Sequence, residues 1–287
     1  MPIFYLIIIF TAIFLLPERA FAWGPATHLE LGWDIINHLK LITPSVRVLL
    51  ERFPYDYLYG NIGADIIVGK NLVEELRHCH NWRIGLKVLK RAESDSQRAF
   101  AYGYLSHLAA DTLAHNHYIP ERMILSFSTR ILRHAYWELR FDVLADKQVW
   151  RLPRKIARKV HRDNDRLLRG ILEDIPLPFR TSKTIFNSFL LLHRMNQWHR
   201  MMGILSSGSR WALSKEDKQR YHHLSMKATL DLLNHGDKAR CLQDDPTGRT
   251  RLNSANSVRK RLKTIKRQGG PWEDVMKDLL QKMASNL

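Results

Sequence analysis

Apolar positions along the chain recur at helical spacing, and the long period-two alternations that mark strands are missing. The pattern predicts a helix over residues 28–39, capped by Thr27, and a short one over 47–53, ended by Pro54. A longer helix is expected over 96–117, stopped by Pro120, and another over 121–149, with Pro153 beyond it. Further helices are expected at 155–172, 181–205, 215–235 and 271–283. In the last of these Trp272, Val275, Met276, Leu279, Leu280 and Met283 form one apolar stripe. Docking on the core is the plain reading of that stripe, and a membrane-surface helix is the alternative. Between Asp245 and Gly270 the chain turns polar and basic, which predicts a solvated loop with a frayed helix near 258–266. No internal repeat of fixed period is present. The expected fold class is all-α, a multi-helix bundle.

The first 22 residues break the pattern. From Ile3 to Leu16 the chain is almost wholly apolar, close to the length of a signal-peptide core and short of the ~20 residues of a membrane span. Pro17 follows, then Ala20-Phe21-Ala22, the small-x-small pattern of a signal-peptidase site. The expected cut after Ala22 makes residues 1–22 a signal peptide and the protein exported, periplasmic or secreted. The mature chain then begins at Trp23. The n-region carries no Lys or Arg, which keeps an uncleaved anchor as the alternative.

Charge divides the remainder. The net charge is +17, yet residues 1–150 hold 16 Lys/Arg against 15 Asp/Glu, while residues 151–287 hold 29 against 13. A positive field of that size attracts anionic membranes or nucleic acid, or serves solubility alone. The expected organisation is a catalytic core at 23–150 and a basic helical extension at 151–287 packed on it. No long flexible linker separates them, and no protein partner is indicated. Cys79 and Cys241 admit one disulfide in an exported protein, and Cys79 also admits a thiolate metal ligand.

The densest chemistry is His107-Leu-Ala-Ala-Asp111-Thr-Leu-Ala-His115. Spacing of i, i+4, i+8 lines two imidazoles and a carboxylate along one helical face among Leu and Ala. That is a metal-ligand arrangement, or else three polar groups satisfied by hydrogen bonds within a bundle. His134 and Glu138 repeat the i, i+4 theme, which also occurs as an ordinary surface pair. Asp65 follows Gly60 and Gly63, whose freedom allows tight backbone geometry around a carboxylate. In His78-Cys79-His80-Asn81-Trp82 either His is a candidate, and Trp82 can pack over a site. A freed Trp23 amine beside its own carbonyl is an N,O chelate, with His28 close enough along the chain to complete it.

These pieces resemble, in order, the bacterial zinc-dependent phospholipase C family: WGPATH, GNIGAD, HNW, GYLSHLAADTLAH and HAYWE, spread over residues 23–145. Its wider superfamily includes clostridial alpha-toxin and the fungal single-strand-specific nucleases. The resemblance implies a helical fold with a trinuclear zinc cleft. One zinc is implied on Trp23 (amino nitrogen and carbonyl oxygen), His28 and Asp111. A second is implied on Asp65, His80, His107 and the bridging Asp111, and a third on His115, His134 and Glu138. By the same resemblance, the cluster would activate a water toward phosphorus, and Asp65 would orient that water or take its proton. Two departures stand out. Better-known members place the His after the bridging Asp at +6, which is His117 here, whereas the bacterial subgroup favours +4, His115. The toxin's C-terminal β-sandwich has no counterpart.

The function expected is phosphodiester hydrolysis of phospholipase C type, cleaving a glycerophospholipid to diacylglycerol and a phosphorylated headgroup. The basic 151–287 region is the candidate contact with an anionic membrane. The alternatives are a phosphodiesterase acting on single-stranded nucleic acid, and a zinc-stabilised membrane-binding protein without turnover.

Overall fold

A computed structural model describes residues 23–67, 79–129, 134–158, 161–172, 177–193 and 211–285. The proposed signal peptide, His78 and residues 194–205 of the expected 181–205 helix lie outside the described residues. Among the described residues the regular structure is helical, with no strand. No helix among them is long and apolar enough to cross a membrane.

The fold is built round one buried helix. Helices α1 (Pro25–Asn37), α2 (Pro44–Arg52), α3 (Pro54–Gly60) and α4 (Trp82–Lys90) precede α5 (Asp95–Leu113). Ser94 starts α5 with a reciprocal capping box: its hydroxyl accepts from the Gln97 amide, and the Gln97 side chain accepts from the Ser94 amide. From Ala99 to Thr112 almost every residue of α5 is buried. A helix apolar nearly all round must be covered on all sides. Here α3, α4 and, from the basic half, α11 (Lys215–His235) pack against it.

Glycines make the closest of these approaches. A Cβ on Gly60 would stand 2.0 Å from the Phe100 carbonyl, and one on Gly103 2.0 Å from that of Tyr57. Gly60, expected to give tight backbone geometry before Asp65, here pairs with Gly103 to let the α3 and α5 backbones touch, which fixes where the segment after α3 emerges.

Several boundaries differ from the periodicity. The 28–39 helix starts at Pro25, and Thr27 lies inside it rather than capping it. The 96–117 helix ends at Leu113, followed by a π turn over Ala114–Tyr118 and then α6 (Ile119–Leu125). The expected 121–149 helix is two pieces, α6 and α7 (His134–Val143). Between them the Ser126 hydroxyl bonds the Arg122 carbonyl and that of Thr129 bonds the Ser126 carbonyl, offering the backbone an alternative to helix. The 155–172 segment is also split, into α8 (Leu152–Arg158) and α9 (Arg162–Arg169). At the break His161 turns its ring to the Ile156 carbonyl and the Asp56 carboxylate. Helix α10 (Phe179–His193) follows.

The largest difference is α12. Residues expected as a solvated loop with a frayed helix near 258–266 form one continuous helix of 19 residues, Arg249–Arg267, which contains that stretch. Ala255 and Leu262 are buried on one face, and the buried Arg259 on that face donates to the Thr129 carbonyl. So few apolar residues among so many charges hid the stripe. Helix α13 (Trp272–Ala284) packs on α12 and α6, with Trp272, Val275, Met276, Leu280 and Met283 half-buried against the core. Cys79 and Cys241 are both buried, and no disulfide joins them.

Candidate metal centre

Three buried clusters of His and acidic side chains lie in the middle of the fold. They are His28 with His107 and Asp111; Asp65 with His80 and His107; and His115 with His134 and Glu138. Within each, one donor atom per residue lies within 4.8 Å of the others.

The first two clusters share α5. Asp111 turns Oδ1 to His28 Nε2 at 3.2 Å and Oδ2 to His80 Nε2 at 3.3 Å and His107 Nε2 at 3.2 Å. His80 Nε2 also lies 3.3 Å from Asp65 Oδ1 and 3.0 Å from His107 Nε2. One carboxylate thus faces both groups, an oxygen to each. His28 and His107 stack with ring centroids 3.7 Å apart. Asp65 comes in on a short 3-10 turn, Gly63–Ile66, just after α3.

The third cluster stands on the π turn and α7. His115 and His134 meet edge to face at 5.0 Å, and His134 Nε2 lies 2.9 Å from Glu138 Oε1. His115, not His117, joins this group; His117 is only partly buried. A π turn re-aims side chains relative to the α-helix before it and recurs at functional sites.

The donor set fits a cationic metal. Both nitrogens of His28 and both oxygens of Asp111 are buried and make no hydrogen bond among the described residues, although they lie close together. Charge and polar atoms held without hydrogen bonds are costly to bury unless something else binds them. Two rings are also oriented from behind: His107 Nδ1 meets the Asn61 carbonyl at 2.8 Å, and His115 Nδ1 meets that of Pro246. A carbonyl only accepts, so each Nδ1 carries the proton and Nε2 keeps its lone pair for the cluster. Burial holds His28 and His115 below the ordinary imidazole range, with the neighbouring His107 and His134 adding to it. Burial presses His107 down too, but the Asp111 and Asp65 carboxylates outweigh it and raise it. Burial pushes Asp111 up and is outweighed by His107 and His28, leaving it well below the carboxylate range.

The chain matches the sequence profile of a family described as zinc dependent phospholipase C, over residues 27–184, more than half its length. The chain belongs to the zinc-dependent phospholipase C family. Its all-helical fold and its His and acidic clusters agree with membership of this zinc-dependent family. No curated protein and no solved structure matches it.

Trp23 is wholly buried at the start of the described chain. Its indole packs on Tyr118 and Phe141 and donates to the carbonyl of Ala110, the residue before Asp111. Trp82 packs at the edge of the core and donates to the Asp244 carbonyl.

Sequence reading missed Asp142. From α7 it accepts from the Ala26 amide, the Thr27 amide and the Thr27 hydroxyl, at 3.2, 2.8 and 2.7 Å. It therefore caps α1 from 115 residues away and places His28 on the second turn. Gly24 is needed here, because a Cβ would stand 2.2 Å from that carboxylate. Only the pairing of α1 with α7 reveals the contact; no local motif announces it.

Burial lifts the Asp142 carboxyl from 3.8 to about 6, against the pull of its hydrogen bonds to Thr27 and Ala26. A folded value above the unfolded one means stability that is full below 3.8 and lost as pH rises through 6. In chelated protein, the wild type should gain roughly 1 kcal/mol over Asp142→Asn between pH 7 and pH 5. Denaturant melts of the pair at both values check this; a constant difference contradicts it.

Proposed function

We propose that this protein is a zinc-dependent phosphodiester hydrolase that cleaves glycerophospholipids on the glycerol side of the phosphate. The products are diacylglycerol and a phosphorylated headgroup. The observation that carries the reading is Asp111: a buried carboxylate without a hydrogen bond among the described residues, one oxygen toward His28 and the other toward His80 and His107. We assign Trp23, His28 and Asp111 to one zinc, Asp65, His80, His107 and Asp111 to a second, and His115, His134 and Glu138 to a third.

Zinc bound in such a cluster supplies a Lewis acid that makes water a nucleophile near neutral pH and steadies charge on phosphoryl oxygens. The chain's own residues do the rest. His28, His80, His107 and His115 offer lone pairs held in place by burial, stacking and backbone carbonyls. Asp65, at the edge of the second group, orients the attacking water or takes its proton. Export with cleavage before Trp23 frees the terminal amine for the first zinc.

The substrate lies in a lipid surface, and the basic half suits its anionic face. On α12 the side chains of Arg251, Lys260, Arg261 and Arg267 are exposed. Juxtaposed Lys and Arg are worth about 1 kcal/mol each near an anionic membrane.

The test uses zinc-loaded mature protein with phosphatidylcholine vesicles and, separately, single-stranded DNA. Diacylglycerol and phosphocholine should appear, and a strong chelator should abolish them and lower the melting temperature. Cleaved DNA with intact lipid favours the nuclease reading. Zinc binding with neither product leaves a membrane-binding protein without turnover. Full activity in chelator defeats the metal reading altogether.

A further inference from the structure

The third cluster is braced by a turn that lies outside the family match, in the basic half of the chain. His115 Nδ1 donates to the Pro246 carbonyl across 131 residues of sequence. The turn that presents this carbonyl is itself locked. Its Gly248 amide bonds the Asp245 carbonyl at 2.9 Å, and the Asp245 side chain accepts from the Thr247 amide, the Thr247 hydroxyl and the Arg249 amide. From outside, Asn116 donates to the Asp245 carbonyl at 2.9 Å and Trp82 to that of Asp244 at 2.8 Å. Gly248 lies against His115 in a left-handed conformation, φ 55°, and a Cβ there would stand 2.4 Å from the His115 Cβ. Only glycine fits both demands.

We infer that the 244–248 turn is a positioning element for zinc binding, holding His115 in the tautomer and orientation that leave Nε2 for the ion. The family profile covers residues 27–184, so this brace comes from the part of the chain beyond it. A carbonyl behind a metal-bound imidazole fixes the tautomer and strengthens the donor, and loss of such support weakens metal binding on the order of 10- to 100-fold. The basic half is thereby tied to the metal centre as well as to the core: removing its turn loosens a ligand contributed by the first half. This rests on the zinc reading given above.

The test compares mature wild type, Gly248→Ala and Gly269→Ala by zinc content and by competition with a chromophoric chelator. Gly269 is the matched control, also left-handed at φ 70° but with nothing within 4 Å of a Cβ. Both variants carry similar backbone strain, but Gly248→Ala also drives a Cβ into His115, so Asn116→Ala, which releases the turn without that clash, is compared as well and separates loss of the brace from steric displacement of the ring. The expected result is one zinc weakened 10- to 100-fold in Gly248→Ala and wild-type binding in Gly269→Ala. Nitrogen-15 spectra of histidine-labelled protein should show the Nδ1-protonated form of His115 in wild type and its loss in Gly248→Ala. Should Gly248→Ala fail to fold, Asn116→Ala releases the same turn and should weaken the same zinc. Unchanged zinc affinity in Gly248→Ala or Asn116→Ala, or equal weakening in Gly248→Ala and Gly269→Ala, overturns the inference. A wild type that binds no zinc overturns the reading of the site itself, and that shows before any variant is compared.

Discussion

Asp111→Asn should bind fewer zinc ions than the wild type and turn over on the order of a thousandfold more slowly, a loss of about 4 kcal/mol of transition-state stabilisation. Asp111 faces His28 with one oxygen and His80 and His107 with the other, so a single substitution strikes two of the proposed sites. Asn keeps the volume and the helix packing. It removes the charge, and the amide nitrogen has no lone pair to give a metal. The chelated variant should be less stable than the chelated wild type at neutral pH, because Asn loses the pairing with His107 and His28 that holds the Asp111 carboxyl well below its ordinary range. Metal analysis and turnover on one phosphodiester substrate are enough. Wild-type zinc content and rate in Asp111→Asn would remove the shared carboxylate from the account.

The second large effect is expected at the chain terminus. A mature protein made with one extra residue ahead of Trp23 should hold less zinc and hydrolyse poorly. The Trp23 nitrogen is then an amide, whose lone pair is delocalised into the preceding carbonyl and coordinates poorly. The fold should survive, because the Trp23 indole still packs on Tyr118 and Phe141 and still donates to Ala110. Equal zinc content and rate in the two forms would take Trp23 out of the site and leave His28 and Asp111 to be completed by something else.

What was legible in the sequence follows from how local each signal is. His107, Asp111 and His115 could be read because i, i+4 spacing on a helix is a short-range property, and the rest of α5 is apolar enough to announce burial. Helix α11 was legible from its periodicity over 215–235, and in the structure Ser214 caps it. Helix α12 was legible only as a frayed piece near 258–266, because only Ala255, Leu262 and an arginine make its buried face, and a stripe that thin is lost among charges. The break after Leu113 was equally hidden: the π turn over Ala114–Tyr118 begins with no helix-breaking residue at 114. The contacts that aim the site were the least visible. The Asn61 and Pro246 carbonyls behind His107 and His115 are backbone atoms and carry no residue-type signal at all. Asp142 does carry one, but as a lone acidic residue on an ordinary helix it points nowhere until α7 is set against α1.

The most direct test of the three-zinc centre is an anomalous difference map at the zinc absorption edge from crystals of the mature protein. Three peaks are expected: one beside Trp23, His28 and Asp111, one among Asp65, His80, His107 and Asp111, and one among His115, His134 and Glu138. Each should lie about 2.0–2.2 Å from its nitrogen and oxygen donors. A map with no peak at these clusters, or with zinc held elsewhere on the chain, would contradict it.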